Sequence, residues 1–124
     1  MGARDAARAI AAGRVLIGIG FLAAPGLAGR AWIGEDAARP RVQAIFRALG
    51  SRDVILGLIT LHVLDTPGVG PRMVATCAAA DAADCAATLA VRDSLPPGAT
   101  ATVTAIAAGA AVAGAALAVA TSRG

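Results

Sequence analysis

The sequence has no tyrosine and no lysine, and aromatic residues make up only 2% of its 124 positions. All eleven basic residues are therefore arginine, and they are scattered singly along the chain. Nucleic-acid binding usually needs a basic stripe or groove, often with aromatic side chains on which bases stack. We therefore expect no nucleic-acid partner, although the net charge is +3.

Residues that serve catalysis or metal binding are also scarce. The chain has one histidine, and its two cysteines, Cys77 and Cys85, lie on one helical segment. Eight residues separate them by about 12 Å along a helix, which is too far for a disulfide. A single histidine leaves no Cys/His cluster with the spacing of metal ligands. No Gly-x-Ser-x-Gly, Walker or His-Glu-x-x-His motif is present, so we expect no enzyme, no metal site and no cofactor.

Small apolar residues are abundant. Hydrophobic residues make up 57% of the chain and charged residues 15%, with a mean hydropathy of +0.71. Ordinary soluble domains have roughly 45–50% apolar and about 25% charged residues. Alanine buries little area in a water-soluble core, whereas small residues let helices pack closely in a bilayer. The composition predicts an integral membrane protein, and a soluble alanine-rich helical bundle is the less favoured alternative.

Four apolar segments are separated by turn signals rich in proline and glycine. They predict a single all-α domain over residues 1–124, a four-transmembrane-helix bundle with helices at about 9–24, 41–64, 71–91 and 99–120. The last segment has no charge and is the clearest span. Residues 26–40 are predicted to be a linker. A retained first helix is favoured over a cleaved signal peptide, because Arg14 interrupts the first apolar segment.

Ionised residues lie inside these apolar segments. They are Arg14, Arg47, Arg52, Asp53, Asp81 and Asp84. A charge near the centre of a membrane helix costs about 2.5–3.5 kcal/mol on insertion scales, so each one needs a partner or a function. Three arginines and three aspartates allow a neutral interior network. We expect Arg52 and Arg47 to pair with the two aspartates of the third helix, and Arg14 to be the third donor.

The predicted network has two interpretations. In the favoured one it is structural and holds the helices in register, so the chain is an accessory or structural subunit, a homo-oligomer or part of a larger membrane complex. In the alternative, Asp81 or Asp84 titrates or binds a ligand, and the chain is a small proton- or cation-coupled transporter. A polar stripe on the third helix carries both aspartates, together with Cys77 and Thr88. Small drug exporters share the length, but they carry an acidic residue in the first helix, where this chain has Arg14.

The run Arg47-Ala-Leu-Gly-Ser-Arg-Asp-Val-Ile-Leu-Gly57, followed by an alanine helix with Asp81-Ala-Ala-Asp84, resembles a group of small bacterial integral membrane proteins. These are predicted four-helix proteins, abundant in actinobacteria and known as domains of unknown function. The resemblance covers roughly residues 14–91. It implies the four-helix membrane fold and the pairing of the second and third helices, and it implies no activity.

The expected location follows from the four predicted spans. An even number of spans places both termini on the same side of the plasma membrane. Arginines flanking the spans are evenly divided between the two sides, so their count gives no orientation. Arg4 and Arg8, just before the first helix, favour cytoplasmic termini.

Overall fold

The computed structural model describes residues 1–124 and is all-helical, with no β-strand. Its five α-helices are α1 (Ala3–Ala23), α2 (Pro25–Ile33), α3 (Pro40–Val63), α4 (Val69–Ala90) and α5 (Ala99–Ser122). Short 3-10 turns follow α2 and α4. The predicted all-helical class is confirmed.

Proline and glycine mark the helix starts. Pro25 and Pro40 occupy the first turns of α2 and α3, where the missing N–H is no loss and the fixed φ suits a helix. Gly68 and Gly98 precede α4 and α5 with φ of 75° and 79°, which glycine adopts without steric cost. The predicted linker at residues 26–40 is wrong, because α2 and a 3-10 turn occupy most of it.

Glycines bring α1 and α3 into backbone contact. A Cβ atom on Gly18 would lie 2.6 Å from the carbonyl oxygen of Gly50, and one on Gly50 would lie 2.6 Å from the carbonyl oxygen of Gly18. Further along, a Cβ on Gly57 would lie 2.8 Å from the carbonyl oxygen of Ala11. Because residue numbers rise on one helix as they fall on the other, α1 and α3 are antiparallel and packed as small-residue membrane helices are.

A second antiparallel pair is formed by α4 and α5, where Gly114 faces Ala78. The two pairs meet at one end of the bundle through a buried cluster of Ala7, Leu64, Val74 and Ala118. They belong to the first part of α1, the residue that follows α3, the first part of α4 and the last part of α5. Both chain termini therefore lie at the same end of the bundle.

Large apolar side chains cover the outer surface. Only 23 of the 124 residues are buried, and Leu16, Ile45 and Val112 are 69%, 69% and 71% exposed. Three helices, α1, α4 and α5, have the length and apolar composition needed to cross a membrane. The helix α3 is equally long, but it carries at least three charged residues within any stretch of eighteen. The fold is therefore compatible with a membrane protein, with three helices that meet this criterion.

Candidate functional site

One face of α3 is buried. Its buried positions recur at intervals of four and three residues, as they do on one face of a helix: Phe46, Gly50, Asp53, Gly57 and Thr60. On α1 the same spacing gives Ala7, Ala11, Arg14 and Gly18. Each helix therefore carries one charged side chain into the interior among small residues.

Arg14 joins three helices. Its Nη1 lies 3.3 Å from Asp53 Oδ1 on α3, and its Nη2 lies 2.5 Å from Asp81 Oδ2 on α4. The Arg14 side chain is only 8% exposed. Charge-assisted hydrogen bonds of this kind gain strength where water is excluded, so Arg14 ties α1 to both neighbours.

Arg52 forms the second pair of the network. Its Nη1 and Nη2 donate to the two oxygens of Asp84 at 3.2 and 2.7 Å, a bidentate arrangement. The Nη2 also lies 3.4 Å from Asp53 Oδ1. Asp53 therefore accepts from both arginines and links the two pairs. The Arg52 side chain is 35% exposed, so this pair lies nearer the surface than the Arg14 pair.

Arg47 lies outside the network. It is exposed on α3 and forms no ion pair, so the predicted pairing of Arg47 with an aspartate of the third helix is wrong. Five residues separate it from Arg52, and at 3.6 residues per turn that places the two side chains about 140° apart. Only one of them can face α4. Asp84 pairs with Arg52, and Asp81 pairs with Arg14 instead.

The other polar residues of the α4 stripe also have partners on neighbouring helices. The Thr60 hydroxyl lies 3.3 Å from Cys77 Sγ, and Trp32 Nε1 donates to Thr88 Oγ1 at 3.1 Å. Thr60 and Trp32 were not predicted as partners. The sequence does indicate that Thr60 faces the interior, because it lies seven residues after Asp53 and so on the same face of α3. The sequence does not indicate Trp32 as a partner of α4, because the segment that forms α2 is predicted to be a linker.

The charges of the network do not balance. Asp53, Asp81 and Asp84 face only Arg14 and Arg52, which leaves one negative charge when all five groups are ionised. Both oxygens of Asp84 accept hydrogen bonds, whereas Asp53 and Asp81 each use a single oxygen. When all five groups are ionised, one further positively charged donor would make the network neutral.

A cavity of about 380 Å³ reaches this network from between α1, α2 and α5. Eleven of its seventeen lining residues are hydrophobic, and its charged residues are Arg14, Asp53, Asp81 and Asp84. Small-molecule sites in proteins typically measure about 300–1,000 Å³, with mostly apolar walls and a few polar groups. The cavity has both properties.

The donor set does not suit a bound metal ion, because no three His, Cys, Asp or Glu side chains are grouped so that they could hold one.

The chain matches no protein-family model, no curated protein and no solved structure. The network and the cavity beside it form the candidate site.

Proposed function

We propose that the chain is an integral protein of the plasma membrane whose helices α1, α3, α4 and α5 cross the bilayer. We propose further that it serves as a structural or accessory subunit. One observation carries the proposal: charged side chains pair in the interior while large apolar side chains cover the outside. This is the reverse of a water-soluble domain and the arrangement that a lipid environment favours. Lipid is the expected surrounding, with a second copy or a larger membrane complex as partner.

The fourth span, α3, is supported by the partners of its charges. Arg52 pairs with Asp84 and Asp53 pairs with Arg14, so neither charge of α3 has to face lipid without a partner. Arg47 lies about 10 Å along the axis from the start of α3. Its long side chain can extend toward that end of the helix and place the guanidinium among the lipid headgroups. The remaining charge of α3, Arg41, lies in its first turn.

Membrane topology distinguishes four spans from three. With four, both termini lie on the same side, which we expect to be the cytoplasm, and residues 34–38 and 92–98 lie on the other. With only α1, α4 and α5 crossing, the termini lie on opposite sides. Fusions of a cytoplasm-active and a periplasm-active reporter to each terminus measure this directly. Opposite sides would contradict the four-span proposal, and recovery of the chain in the supernatant after a carbonate wash would support the soluble alternative.

In this proposal the network is architectural. It fixes the rotation of α1, α3 and α4 about their axes, because each guanidinium must meet its carboxylates. Interior charge of this kind favours one helix arrangement over others of similar apolar packing. The subunit would then present a defined outer surface to its neighbours in the membrane.

A small proton- or cation-coupled carrier is the second candidate, favoured by three aspartates that share only two arginines next to a cavity. If the protein is such a carrier, Asp81→Asn should remain folded in detergent, but proteoliposomes that contain it should take up protons or cations at least about tenfold more slowly. Asp93→Asn, which removes an exposed carboxylate outside the network, is the matched control. Equal uptake by both variants and the parent protein would exclude Asp81 from transport.

A further inference from the structure

We propose that the cavity between α1 and α5 binds a monovalent organic cation, with an ammonium or guanidinium head on an apolar body. The inference rests on the proposed membrane location and names the ligand class that the carrier would take. Three features of the cavity support it: the charge at its inner end, the composition of its walls and the position of its mouth.

The inner end of the cavity matches a cationic head. Three aspartates share two arginines, so the network carries one net negative charge when all five groups are ionised, and one oxygen each of Asp53 and Asp81 accepts no hydrogen bond. An ammonium group has N–H donors for such oxygens and restores neutrality inside the apolar bundle. An anionic head would add to the excess charge, and a neutral head would leave it uncompensated. The charge therefore selects a cation.

The walls match an apolar body rather than a bare ion. Apolar side chains of both helices line the cavity, among them Ile17 and Phe21 of α1 and Val103 and Ile106 of α5. Hard inorganic cations such as Ca²⁺ are held by six or more oxygen ligands. No group of acidic side chains that could hold a metal ion is present. Hydrocarbon or aromatic groups would instead fill the apolar volume.

The mouth opens on the outer surface of the bundle. Ile10, Ile17 and Ile106 all line the cavity and are also exposed, so the opening lies along the seam between α1 and α5. In the proposed membrane location this seam faces lipid. A ligand that enters there comes from the bilayer, which favours an amphiphile over a strongly hydrated ion.

Trp32 provides the measurement, because it is the only tryptophan and it lines the cavity. The probe is 4-bromobenzylammonium, whose bromine quenches tryptophan fluorescence on contact, added to the purified full chain in detergent at pH 7. We expect saturable quenching. The neutral 4-bromobenzyl alcohol should bind at least about tenfold more weakly, and 4-bromobenzoate should show no saturable quenching. Equal affinities for the ammonium and the alcohol would overturn the proposal.

Two pairs of variants locate the site. Asp81→Asn should weaken binding of the ammonium by about tenfold, whereas Asp93→Asn should leave it unchanged. Ala107→Leu fills the cavity without altering any charge and should weaken binding to a similar degree. Its control is Ala105→Leu, on the exposed face of the same helix. Should Asp81→Asn fail to fold, the Ala107 pair still decides, and full affinity of Ala107→Leu would show that the probe binds elsewhere.

The test separates this inference from the proposed function. Displacement of the probe by potassium at equal concentration would overturn the organic-cation site in favour of an inorganic one. Saturable binding without uptake in proteoliposomes would reject the carrier and support the cavity. Binding by a chain that is released by carbonate would reject the membrane location and still support the cavity.

Discussion

Replacing Arg14 by leucine is expected to lower the free energy of unfolding by about 3–5 kcal/mol, the cost of breaking a buried ion pair from one side. The change removes the guanidinium that Asp53 and Asp81 share. Asp53 retains a 3.4 Å contact with Arg52, but Asp81 has no other partner. The buried charge that remains, rather than the lost attraction, accounts for most of the expected effect. Thermal unfolding in detergent, followed by circular dichroism, measures it.

Arg47→Leu is the matched control for Arg14→Leu. It removes the same charge from an exposed position without an ion pair, so stability should change by no more than about 0.5 kcal/mol. Combining Arg14→Leu with Asp81→Leu should cost clearly less than the sum of the two single changes, since the double variant leaves no unpaired carboxylate at position 81. Strict additivity would show that the two residues are not energetically coupled, and the architectural role of the network would then be wrong.

Gly18→Ala is expected to destabilise the bundle by about 1–3 kcal/mol, the usual cost of overpacking a close contact. The added methyl group would lie 2.6 Å from the carbonyl oxygen of Gly50 and 2.8 Å from the backbone nitrogen of Val54. Neither atom is the free end of a side chain, so relief requires α1 and α3 to move apart. That movement would also stretch the contact between Arg14 and Asp53.

Gly20→Ala tests the same substitution two residues away on α1. A Cβ atom there has no neighbouring atom within 4 Å, so alanine should be neutral or stabilise the helix by up to about 1 kcal/mol. The difference between the melting temperatures of Gly18→Ala and Gly20→Ala measures the effect of the contact between α1 and α3, separately from the helix propensity of alanine. A Gly18→Ala protein as stable as Gly20→Ala would contradict the close approach of α1 and α3.

Helix breaks were predictable from local chemistry, whereas the short helix α2 was not. Pro67-Gly68 and Pro97-Gly98 directly precede α4 and α5. Proline fixes φ and glycine adopts a positive φ whatever the neighbouring residues are, so a break at these positions follows from the local sequence. Pro25-Gly26 has the same composition, yet α2 starts at Pro25. A nine-residue helix is marginal by itself and depends on packing, here of Gly29 against Phe46 on α3. Such a contact cannot be read from the residues of α2.

Composition and periodicity alone determine that this chain is helical, that its outer surface is apolar and that charged side chains lie within its helices. They do not determine which charges meet. A charged side chain reaches only the neighbour it faces, so pairing depends on the rotation of each helix about its axis, and that rotation follows from contacts such as Gly18 with Gly50. Only the tertiary structure therefore turned Arg47 outward and left three aspartates to share two arginines beside a cavity.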